Sequence, residues 1–80
     1  MTVHELGCRL REMYDTPGTQ KSTMIHLFGI LYADQMQRAG CRPIDVVRSA
    51  QLPESYVTEV NKGIRLSRYV VLRDSYAGKF

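Results

Sequence analysis

Apolar residues recur three or four apart at Val3, Leu6, Leu10 and Met13, which predicts an amphipathic helix from about Thr2 to Tyr14. Thr2 and Glu5 stand at the spacing of a capping box, so the helix is expected to begin there. Pro17 and Gly18 oppose helix continuation, which makes Asp15 to Lys21 a loop and the one linker-like stretch of the chain. A second helix is expected from a cap at Ser22 or Thr23 to about Ala39, ended by Gly40. Its first half (Met24, Ile25, Leu27, Phe28, Ile30, Leu31, Tyr32) is apolar nearly all round, whereas Asp34, Gln35, Gln37 and Arg38 make its second half polar. A helix apolar on every side needs cover on every side, either as the central post of the domain or partly from another subunit.

Pro43 suits the first turn of a short third helix carrying Ile44, Val46, Val47 and Ala50. Leu52-Pro53-Glu54-Ser55 reads as a turn into a fourth helix through Tyr56, Val57, Val60 and Lys62, with Gly63 as its expected stop. In the last segment, Arg68 to about Ala77, the composition of Tyr69 to Leu72 suits a strand as well as a helix. Ser67 as a cap, and the spacing of Leu66 and Val70 and of Tyr69, Leu72 and Tyr76, favour helix. The expected fold is therefore all-α. Four to five short helices form one domain over residues 1–80, with an extra N-terminal helix (1–15) added to a core of residues 22–77. No internal repeat or low-complexity tract is present.

Two short helices joined at Gln51-Leu52-Pro53 must cross steeply, and Ala50 is small enough for close approach. Val47, Ala50, Leu52, Val57 and Val60 then fall inside, leaving Ser55, Tyr56, Thr58, Glu59, Asn61 and Lys62 largely outward. That is a helix-turn-helix, whose second helix offers its exposed side chains to a major groove. The run from Gln37 to Gly63 resembles the helix-turn-helix of the lambda-repressor and Cro-like family. The resemblance rests on the helix end at Ala39-Gly40, the pattern Ser55-Tyr56-Val57-Thr58-Glu59-Val60, and Gly63 ahead of a basic stretch. It covers about residues 30–77, leaves the first helix outside, and is nearest to small standalone bacterial proteins with a helix-turn-helix-like domain. Gln51 stands where that family's turn usually has glycine, which calls for a left-handed backbone there or a differently shaped turn.

The resemblance implies double-stranded DNA as partner and a homodimeric transcriptional regulator. Ser55, Tyr56, Thr58 and Asn61 would face base edges or the nearby backbone, Asn being suited to adenine and Thr to a thymine methyl. Lys62, Arg65 and Arg68 would bind phosphate, fixing register without reading sequence. Glu54 and Glu59 on the same helix oppose this, because a carboxylate near phosphates is repelled.

Charge placement adds to that picture. Residues 1–41 hold four basic and four acidic side chains, residues 42–80 seven and four, and from Val60 onward five and one. A one-ended basic surface suits a polyanion. The 44% apolar content suits a packed globule, and two cysteines in 80 residues make no disulfide framework. No secretory signal is recognisable and the longest apolar run is too short to span a bilayer, so a cytoplasmic protein with no membrane contact is expected.

His4, Cys8, His26 and Cys41 are a tetrahedral inventory without the close pairing of a zinc motif, so no metal and no cofactor are expected. No thiol has an activating neighbour and no phosphate-binding glycine loop exists, so an enzyme is not expected. The competing reading is a protein-interaction adaptor, since this fold is reused for assembly and exposed tyrosines suit protein interfaces.

Overall fold

A computed structural model describes residues 1–79. Its order is α1 (Val3–Tyr14), α2 (Lys21–Ala39), α3 (Pro43–Ser49), a single 3-10 turn (Glu54–Tyr56), α4 (Val57–Leu66) and α5 (Asp74–Ala77). Among the described residues there is no strand, so the chain is all-α. No described helix is long and apolar enough to cross a membrane.

α1 begins as expected. The Glu5 N–H donates to the Thr2 hydroxyl at 3.1 Å, and the Thr2 N–H donates to the Glu5 carboxylate at 2.9 Å. Its inner face buries Leu6, Leu10 and Met13 almost completely, so this helix is part of the core. α2 is the central post: Met24, Ile25, Phe28, Tyr32 and Met36 are buried, and it packs against both α1 and α4. Val46, Val47, Ala50, Leu52 and Val60 complete the core. Each large side chain removed from water there contributes on the order of 1.5–3 kcal/mol before entropy is counted.

The structure corrects the expected boundaries in four places. α2 starts at Lys21 after Gln20, which makes no side-chain cap bond; neither Ser22 nor Thr23 is the cap. The fourth helix opens with a tight 3-10 turn before becoming α at Val57. Gly63 does not stop that helix, which continues to Leu66; it lies buried in the α4 interior against Gly29 of α2. A Cβ on Gly63 would sit 2.9 Å from the Gly29 Cα, so the bare backbone here lets two helices touch. Finally, Ser67 is a C-cap whose hydroxyl donates to the Ile64 carbonyl, and residues 70–73 are extended. Helix returns only at Asp74–Ala77. The expected helix from Arg68 to Ala77 fails because Tyr69 and Val71 have nothing to pack on, being 83% and 90% exposed.

Candidate nucleic-acid interface

α3, the turn and α4 form a helix-turn-helix whose corner is built by one residue in an unusual conformation. Gln51 has φ 59°, the left-handed value expected at the glycine position. With it, the Gln51 N–H donates to the Arg48 carbonyl at 2.9 Å and the Leu52 N–H to the Val47 carbonyl at 3.1 Å. This pair of bonds is a Schellman ending, which satisfies two orphan carbonyls of α3. Gly40 ends α2 the same way, its N–H donating to Gln37 and that of Cys41 to Met36. Leu52 then turns into the core, and Pro53 leads into the 3-10 turn.

α4 is held by its inner face. Val60 and Gly63 are buried and Val57 and Ile64 half-buried. Thr58, Lys62 and Arg65 fall at i, i+4 and i+7, one exposed stripe along the helix, with Ser55 exposed at its start and Arg68 exposed beyond its end. Asn61 flanks the stripe half-buried, and its carbonyl accepts from the Arg65 Nε at 3.4 Å. Five of the seven expected contact residues (Ser55, Thr58, Lys62, Arg65 and Asn61) are thus brought together on α4 and its lead-in turn. Arg68 lies apart, at the mouth of a cleft lined by Ala33 and Gln37 of α2 and by Pro43.

Tyr56 does not face outward with them. It is half-buried, its ring edge-on to Tyr14 of α1 at 5.5 Å between centroids, and the two hydroxyls are hydrogen-bonded at 3.3 Å. That bond pushes the Tyr56 phenol up from its ordinary value. Lys21 completes the cluster: its ammonium donates to the Tyr14 carbonyl at 2.6 Å and lies 4.6 Å from the Tyr14 ring centroid. The turn that leads into α4 is therefore tied to the α1–α2 corner through a contact 42 residues apart in sequence, which no local pattern foretells.

Glu59, expected to face outward, also turns aside. Its carboxylate pairs with the His26 ring of α2 and with Lys62 at 3.5 Å, and its side chain is only 22% exposed. The His26 hydrogen bond, with Lys62 adding to it, holds Glu59 below the usual carboxylate range. Glu54 is paired too, with Arg48 at 2.9 Å across the turn. The two acids that count against DNA contact each have a partner within the fold. Arg48, given no role from the sequence, closes the corner from α3 to the 3-10 turn by that bond.

Elsewhere, His4 and Cys8 meet at 3.8 Å on the exposed face of α1. No group of three or more side chains able to hold a metal forms among the described residues.

A family model described as an HTH-like domain matches residues 2–73, so it takes in α1 as well as the helix-turn-helix. No curated protein and no solved structure matches the chain.

Proposed function

Because the chain belongs to the HTH-like domain family, we propose that it binds double-stranded DNA as a homodimer and acts as a small cytoplasmic transcriptional regulator. Its work is recognition, with no catalysis and no cofactor. The observation that carries this reading is the exposed stripe Ser55–Thr58–Lys62–Arg65, from which Glu59 is turned aside onto His26 while Glu54, in the lead-in turn, is paired with Arg48. An α-helix is about 10–12 Å across with its side chains, which suits a major groove about 12 Å wide.

Thr58 and Asn61 are the side chains suited to base edges, and Lys62, Arg65 and Arg68 to phosphate. Tyr56, bonded to Tyr14, acts by fixing the entry of the helix. Likeness to the lambda-repressor and Cro-like proteins adds the expectation of two half-sites one helical turn apart, roughly 34 Å.

The test is fluorescence anisotropy against a random-sequence duplex at about 50 and 200 mM salt, the range over which phosphate contacts are lost. Binding that collapses at the higher salt, and that is weakened by Lys62→Ala with Arg65→Ala, is the expected result. No binding at either salt overturns it and leaves the protein-interaction adaptor as the reading.

A further inference from the structure

The chain after α4 leaves an apolar edge uncovered. Tyr69 and Val71 are 83% and 90% exposed, whereas Val70 is 43% exposed, and Val70 and Leu72 border a cleft with Ile30 and Leu31 of α2. Val71 reaches the rim of the same cleft but is far more exposed than Val70 or the half-buried Leu72, so exposure rises and falls with the two-residue period of an extended strand. The backbone agrees. Residues 70–73 are neither helix nor turn, and the N–H groups of Val71, Leu72 and Arg73 have no backbone partner among the described residues. An open edge of this kind is a template for pairing with another chain.

We infer that this edge pairs with the same edge of a second copy, antiparallel about a two-fold axis through Val71. The inference rests on the homodimer part of the reading above, but not on DNA contact. Charge identifies the occupant and the register. With the axis at Val71, Val71 meets its own copy and Tyr69 meets Arg73 of the second copy, while Arg68, in the turn before the extended run, and Asp74, the first residue of α5, lie just beyond the two ends of the pairing on opposite copies. The first two pairs, apolar with apolar and aromatic with cation, stabilise a cross-strand site, and the third sets a cation beside an anion at each end of it. Moving the axis by half a residue toward Val70 puts Arg68 opposite Arg73, a like-charge pair that disfavours that register.

The free backbone groups fit the same register. The Val71 N–H and carbonyl exchange bonds with those of the second Val71, and each Arg73 N–H reaches a Tyr69 carbonyl. The ladder ends there, because the Tyr69 N–H already donates to Leu66 at 2.9 Å and the Arg73 carbonyl accepts from Tyr76 at 2.8 Å. Tyr69 follows the end of α4 by three residues, so pairing at Val71 also sets how far apart the two recognition stripes stand.

Sedimentation velocity across a concentration series tests this, with circular dichroism to check that each variant folds. The wild type is expected to be a dimer. Val71→Asp, at a position 90% exposed, should be a folded monomer. Arg68→Asp should weaken the dimer, and adding Asp74→Arg should restore it.

In a background with Cys8→Ser and Cys41→Ser, Val71→Cys should form a covalent dimer when treated with oxidised glutathione, which accepts the two electrons and is reduced to the thiol. A hydrogen-bonded antiparallel pair places the Cα atoms about 5.5 Å apart, inside the range a disulfide accepts. Val70→Cys, which points inward, should not cross-link. A dimer unaffected by Val71→Asp and not cross-linked by Val71→Cys overturns this edge while keeping the homodimer. A monomeric wild type overturns both, and the DNA titration above reads separately from either.

Discussion

Gln51 carries a left-handed backbone at the corner of the helix-turn-helix, and two opposing effects decide what glycine would do there. Removing the side chain relieves roughly 1–2 kcal/mol of steric strain. Glycine also widens the unfolded ensemble, which costs about 0.4–1 kcal/mol. The strain wins, so Gln51→Gly should stabilise the protein by about 0.5 kcal/mol, with a melting temperature higher by a few degrees. Gln51→Val, β-branched at positive φ, should lower it.

Glu59 makes a second prediction at this scale. Its folded pKa lies below the ordinary carboxylate range, chiefly through the His26 hydrogen bond. A group depressed in this way stabilises the fold fully above its unfolded value, roughly pH 4, and loses that contribution as pH falls through the lower folded value. Urea unfolding at pH 7 and pH 3 should therefore show an acid loss that is smaller in Glu59→Gln. Part of the loss should persist, because Glu5 and Asp45 are held down as well, by hydrogen bonds from Thr2 and Arg42.

At the scale of elements, α2 and α4 cross where Gly29 faces Gly63. Alanine is the better helix former by about 1 kcal/mol, so Gly63→Ala in an isolated helix would be favourable. Here the new Cβ would press on the Gly29 Cα and the His26 carbonyl, backbone atoms that cannot rotate away. Overpacking of this kind costs about 1–3 kcal/mol, so the variant should melt lower despite its better propensity. Thr58→Ala, on the exposed stripe of the same helix, should stay within about 0.5 kcal/mol of the wild type.

The same crossing explains which elements were legible in the sequence. The Thr2 capping box, the Gly40 stop, Pro43 at the start of α3 and the left-handed demand on Gln51 are local signals, and each appears in the fold. Gly63 misleads because glycine usually ends a helix, whereas its reason here is Gly29, thirty-four residues away. Glu59 and Tyr56 look outward from α4 alone, and only packing against His26 and Tyr14 turns them aside. The segment 70–73 has apolar spacing that fits a helix, yet two consecutive valines disfavour one and the core offers it no seat.

At the scale of the whole molecule, the basic excess of residues 42–80 has a stoichiometric consequence. Each phosphate neutralised releases a counterion, and the slope of log affinity against log salt is about −0.9 per contact. If Lys62 and Arg65 each hold one phosphate in both copies, Arg68 being taken up by Asp74 of the second copy, the dimer makes four contacts and the slope should be near −4. Affinity would then fall by about a hundredfold between 50 and 200 mM salt. Lys62→Ala with Arg65→Ala should flatten the slope to near zero.

Val71→Asp touches neither of these cations, yet by separating the copies it should halve the slope to about −2 while leaving contacts within each protomer intact. Anisotropy titrations at four or five salt concentrations read all three slopes. A wild-type slope near zero would mean that the basic side chains of α4 meet no phosphate. An unchanged slope in a Val71→Asp variant that sediments as a monomer would mean that the wild type, too, binds DNA as single copies.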